Sequence, residues 1–213
     1  MHPRTAHGSI RKQAGGLIVA LATVLALAPS AAARESIDPS TLNPAPPATW
    51  DVTCERQGSG IVCDLSFADP AIVSDPSGIV CGGVELLVSQ TRSVVGKRFY
   101  DANGDLLERH FRESLAGSFT NPETGLVATW IQHDTAIHNL GVPGDLASGT
   151  FSVSGLTTRV IGPDGQTILV DAGTSLQDGA TGDPIRADGP HPFFDYFALG
   201  DASALQPLCD ALD

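Results

Sequence analysis

From Trp50 onward, apolar and polar residues alternate along the chain, and glycine-rich turns separate the runs. A two-residue period marks strands buried on one face only. The first pair of runs fixes its own register. Gly58-Ser59 suits a two-residue turn with glycine supplying a positive φ. That turn sets Gln57 opposite Gly60, Arg56 opposite Ile61 and Glu55 opposite Val62. One face then carries Trp50, Val52, Cys54, Cys63, Leu65 and Phe67, and the other carries Asp51, Thr53, Glu55 and Asp64. A slip of one residue would mix the two sets, so the segregation selects this register. It puts Cys54 beside Cys63 at a non-hydrogen-bonded pair, where Cα atoms lie about 4.5 Å apart, within disulfide reach. A Cys54–Cys63 bridge is expected, which leaves Cys81–Cys209 for the other two cysteines.

A second hairpin turns at Asp101-Ala102-Asn103-Gly104. A two-residue Asn-Gly turn would set Arg98 opposite Arg109, an unfavourable like-charge pair. A three-residue loop with Gly104 as a bulge pairs Arg98 with Glu108, Phe99 with Leu107 and Val95 with Phe111, and is the register expected here. The strand continues to Thr120. Asn121-Pro122-Glu123-Thr124-Gly125 makes the next turn, and strands follow at 126–138 and 149–161. Gly162-Pro163-Asp164-Gly165 is a turn of known chemistry. It is expected to pair Val160 with Ile168 and Thr158 with Val170. A short strand near 174–177, a loop over 178–192 and a C-terminal helix near 202–212, capped by Asp201 or Ser203, complete the reading. The expected fold is all-β: an antiparallel meander of seven or eight strands, as an up-and-down barrel in preference to a β-sandwich. A closed barrel would also leave no open edge.

The first 33 residues read differently. Arg4, Arg11 and Lys12 precede an apolar run at 17–28, and Ala31-Ala32-Ala33 offers a small-residue cleavage site, so residues 1–33 are expected to be a signal peptide. The run is short for a membrane span, which needs about 20 residues. Residues 34–49, with prolines and little apolar material, read as a flexible spacer, and residues 50–213 as one β domain stapled by disulfides. An even cysteine count beyond a signal points to an oxidising compartment, secreted or in the cell envelope. Residues 34–213 hold nine of the 12 basic residues and all 24 acidic ones, a net charge of −15. Such a chain repels nucleic acid and anionic membranes, so neither is expected as a partner. An unknown small ligand or an extracellular protein is.

Candidate chemistry is sparse. No serine has glycine two residues away on both sides, so the nucleophile elbow is absent. His133 and His138 differ by five on one strand and point to opposite faces, so they do not chelate one ion. No metal or cofactor is expected. Asp101, Asn103 and Asp105 echo a calcium loop but are explained as a hairpin turn, and Asn121–Gly125 echoes a sorting pentapeptide but sits mid-chain between strands. Glu108, His110 and Arg112 alternate on one strand face, and could act as acid and base if they converge in a cavity.

The stretches FYDANGDLLERH, SFTNPETG and GPHPFFDYF, with the late Leu208-Cys209, resemble small secreted proteins of high-GC Gram-positive bacteria that have no assigned function. The resemblance implies secretion and a β domain, and it transfers no catalytic residue. A looser likeness to calycin-type barrels is architectural. The expected function is therefore a non-catalytic β domain that binds a small ligand or an extracellular partner. A small-barrel isomerase or hydrolase using Glu108, His110 and Arg112, and a cell-envelope interaction protein, are the alternatives.

Overall fold

The computed structural model describes residues 35–213, and the expected signal peptide lies outside them. Nine antiparallel strands run in sequence order: β1 (Ser36–Ile37), β2 (Asp51–Gln57), β3 (Gly60–Cys81), β4 (Val84–Tyr100), β5 (Leu106–Thr120), β6 (Val127–Asn139), β7 (Thr150–Ile161), β8 (Thr167–Asp178) and β9 (Pro184–Asp188). Each pairs with its neighbours in the chain, and β1 does not meet β9. The sheet therefore curls into a half-barrel rather than a closed barrel. Its two edges are the shortest strands, which limits the backbone offered to other chains.

The first hairpin has the expected register, with Gly58 at φ 61° and Cys54 opposite Cys63. Both disulfides are as expected, Cys54–Cys63 with Cα atoms 4.0 Å apart and Cys81–Cys209 across 128 residues of chain. They point to an oxidising environment. Among the described residues, no helix is long and apolar enough to cross a membrane.

The second hairpin departs from expectation by one residue. Gly104 does sit at φ 90° in a bulged turn, but a second bulge follows at Leu107. Phe99 therefore faces Glu108, and Arg98 faces Arg109, the pair that charge repulsion argued against. Burial decides it. In this register the concave face of β5 carries Phe111, Leu115 and Phe119; without the bulge it would carry His110, Arg112, Ser114 and Ser118. Burying each large apolar side chain contributes about 1.5–3 kcal/mol, against about 0.2–1 kcal/mol for one unfavourable cross-strand pair. The turn at Gly165 repeats the pattern: an added bulge makes the pairs Val160–Leu169 and Thr158–Asp171, not Val160–Ile168 and Thr158–Val170.

Three other segments differ from the sequence reading. Residues 36–49, read as a spacer, contribute β1, which pairs with β2, and the buried Leu42. The backbone of Asn43 bonds to Gly104 and Leu106, closing one end of the concave face. The loop over 178–192 contains β9. The C-terminal helix is shorter than expected, α2 (Gln206–Leu212), preceded by a 3-10 turn that Asp201 caps by accepting from the Ser203 N–H. A further helix, α1 (Pro192–Leu199), precedes it. Leu205, Leu208 and Leu212 pack with Ile79, Leu86 and Val160 to plug the other end of the curl. The Asn121–Gly125 turn holds that plug: Asn121 Nδ2 and Thr124 Oγ1 both donate to the Leu212 carbonyl, at 3.1 and 2.8 Å. These bonds satisfy a carbonyl that a helix end otherwise leaves bare.

Candidate functional site

Side chains on alternate residues of β3 to β8 line the concave face between the two plugs. A charged row crosses its floor. Arg92 on β4 binds Asp69 of β3 at 2.8 Å and both carboxylate oxygens of Glu113 on β5 at 3.0 Å. Asp134 on β6 stands directly opposite Glu113. Burial opposes the charge on Arg92, but its contacts with Asp69 and Glu113 outweigh that and raise its pKa. Asp134 moves the other way for a carboxylate: burial raises its pKa, opposed by the 2.6 Å bond from Gln132 Nε2 and reinforced by Glu113.

One side of this row is apolar. A cleft of about 320 Å3 is walled by Val88, Phe119, Trp130, Thr158, Phe193 and Phe197. Two of these walls come from α1, and the placement of α1 is itself specified. Asp171, buried on β8, accepts from His191 Nδ1 at 3.0 Å and from the Phe193 backbone N–H at 3.1 Å. It thus serves as the N-cap that His191 does not provide. Trp130 lies flat over Gly117 of the adjacent strand, where any Cβ would come within 2.8 Å of the indole ring. The indole Nε1 is buried and has no partner among the described residues.

The other side is aromatic and charged. A cavity of about 350 Å3 is lined by Trp50, Phe67, Phe111 and Phe151 together with Arg92, Arg109, Asp69 and Glu113. Trp50 stacks on Phe67 with ring centroids 4.3 Å apart and meets Phe111 edge-on. Arg109 Nε donates to His138 Nδ1 at 3.1 Å, and His138 Nε2 donates to the Ser148 carbonyl at 2.8 Å. A carbonyl only accepts, so these two bonds require the neutral Nε2–H tautomer. Burial, reinforced by the charge of Arg109 and opposed by the Ser148 bond, holds the His138 pKa below its ordinary 6.5. The unfolded chain takes up this proton near 6.5, whereas the folded chain refuses it until lower pH. Stability is thus full above pH 6.5 and falls as pH descends toward the folded value. Melting curves between pH 7.5 and 5 should show this loss. His138→Gln, which can make both bonds without titrating, should remove that part of it.

The sequence-predicted residues lie elsewhere. The bulge at Leu107 turns Glu108, His110 and Arg112 to the convex face. Glu108 Oε1 and His110 Nε2 meet there at 2.6 Å, both partly exposed, and Arg112 is exposed. His110 and Arg112, but not Glu108, line a groove of about 450 Å3 on that face with Lys97, Asp64 and Thr135, so the three do not share one cavity. His133 and His138 take opposite faces, His133 meeting Ser114 Oγ at 3.2 Å. Asp101 accepts from the backbone N–H groups of Asn103 and Asp105, as a turn residue does. The residues the sequence reading missed, Arg109 and Glu113, share one signal. Phe111, Leu115 and Phe119 recur at even spacing on β5 and mark the odd-numbered positions as concave.

No protein family matches the chain, and no curated protein or solved structure is similar to it.

Proposed function

We propose that the protein is an exported binding domain that holds a small, largely apolar molecule carrying a hydrogen-bond acceptor in the cleft under α1. The observation that carries this reading is the cleft itself. It is apolar and of a size that small-molecule sites have, and Trp130, one of its walls, keeps a buried indole N–H without a partner. An unmet buried donor costs about 1–3 kcal/mol, which an occupant with a carbonyl or ether oxygen would recover. The fold supplies a rigid floor of long strands and a roof from α1, fastened through Asp171. Export accords with the secretory pattern of residues 1–33 and with the two disulfides. Glu108, His110 and Arg112 face outward, away from this cleft.

The test uses Nile red, a neutral dye whose fluorescence rises in apolar surroundings. The protein should bind it saturably, one molecule per chain. Val88→Trp, which fills the cleft, should weaken binding at least about tenfold, or 1.4 kcal/mol. Trp130→Phe, which keeps an aromatic wall and removes the N–H, should weaken it less. Equal binding by the parent and Val88→Trp would exclude the cleft as the site.

A further inference from the structure

Two arginines on the concave face have no carboxylate partner. Arg98 is 3 % exposed, and Arg109 stands opposite it on the next strand. Among the described residues, no ion pair reaches either of them. Arg98 Nη1 donates to the Pro44 carbonyl at 3.3 Å and to the Tyr100 hydroxyl at 3.4 Å, and its Nε is buried with no partner among the described residues. Its guanidinium lies 5.1 Å from the Trp50 ring, which forms a wall of the aromatic cavity. Arg109 uses Nε for His138 and rests 5.6 Å from the Phe111 ring, and its two terminal nitrogens have no partner among the described residues. Burial and the charge of Arg98 both work against its own, and its pKa is lowered; arginine nonetheless stays charged.

Buried charges are paired in stable proteins, because desolvating an unpaired one costs several kcal/mol. Arg92, on the same face, obeys that rule with Asp69 and Glu113. Arg98, buried behind Trp50, and Arg109, half-buried, do not, and Arg109 lines a cavity walled by Trp50, Phe67, Phe111 and Phe151. We infer that this cavity is a second binding site, separate from the cleft under α1, that takes an aromatic monocarboxylate with its carboxylate on the terminal nitrogens of Arg109. The guanidinium fork matches a planar carboxylate with two parallel bonds, and the four aromatic walls match an aromatic body. Asp69 and Glu113 border the same cavity but are engaged by Arg92. That trio retains one negative charge, which turns the carboxylate toward Arg109 and the ring away from it. The chain's net charge of −12 favours a singly charged ligand over a multiply charged phosphate.

The experiment compares 2-naphthoate with its neutral amide by calorimetric titration of the full chain. The parent should bind the acid at least about tenfold more tightly than the amide, because only the carboxylate makes charge-assisted bonds to the guanidinium. Arg109→Gln should remove that preference, weakening the acid far more than the amide. Arg109→Lys, which keeps the charge without the fork, should fall between the two and decides the matter if Arg109→Gln does not fold. Val88→Trp should leave naphthoate binding intact, which separates this site from the cleft whatever becomes of the Nile red result. The inference is overturned if the parent does not bind the acid better than the amide, if neither Arg109 variant weakens it, or if Val88→Trp abolishes it.

Discussion

The double variant Cys81→Ser/Cys209→Ser should melt roughly 10–20 °C below the parent. This bridge ties the end of β3 to α2 and spans 128 residues. In the chain-entropy account, a closed loop of that length stabilises by about 5 kcal/mol, against about 2.5 kcal/mol for the nine-residue separation of Cys54–Cys63. A domain of this size shifts by about 2–4 °C for each kcal/mol. The two disulfides are therefore unequal, and Cys54→Ser/Cys63→Ser should lose about half as much. The long bridge also fastens the leucine plug over Ile79, Leu86 and Val160, so its loss loosens the floor beneath the cleft. Differential scanning calorimetry of the two double variants checks both the size and the order. Equal losses would mean that the hairpin disulfide does more than limit the unfolded chain.

Asp171→Ala should be the most damaging single substitution near the cleft. Asp171 is 2 % exposed and holds α1 through His191 and the Phe193 N–H. Removing it strands both donors in a buried site, and breaking a buried pair in this way costs about 3–5 kcal/mol. The melting temperature should fall by roughly 6–20 °C. Phe193 and Phe197 should move away from the cleft, so Nile red binding should weaken even at temperatures where the sheet is intact. Asp171→Asn, which still accepts a bond from the Phe193 N–H, should recover part of both losses. A variant that binds the dye normally would mean that α1 needs no anchor on β8.

How much of this was legible in the sequence depended on how each feature is encoded. The first hairpin was readable in full because its faces segregate without interruption from Trp50 to Phe67, and the register then delivered Cys54–Cys63. Strands β5, β6 and β7 were readable in extent for the same reason. The second hairpin failed at one residue. Its turn chemistry at Gly104 was correct, but the bulge at Leu107 leaves no mark at the turn; it is marked farther along, where Phe111, Leu115 and Phe119 require the odd positions to face inward. Weighing the local Arg98–Arg109 repulsion above that longer pattern assigned the charged side chains of β5 to the wrong face. One slipped residue exchanged Glu108, His110 and Arg112 for Arg109 and Glu113 as the groups on the concave face.

Other features were not local at all. Helix α1 begins at a histidine with no capping bond of its own, and its cap is Asp171, more than 20 residues upstream. β1 and β9 are pairings of short polar segments that add little apolar burial, so neither shows a period of two. The row formed by Asp69, Arg92 and Glu113 needed two strand registers at once, one of them across the irregular second half of β3.

Native mass spectrometry of the protein purified without denaturation from cells that export it tests the central claim most directly. The account predicts a small organic molecule retained at one per chain, released on denaturation and absent from Val88→Trp prepared in the same way. A bare chain that also fails to retain Nile red added in excess would contradict it.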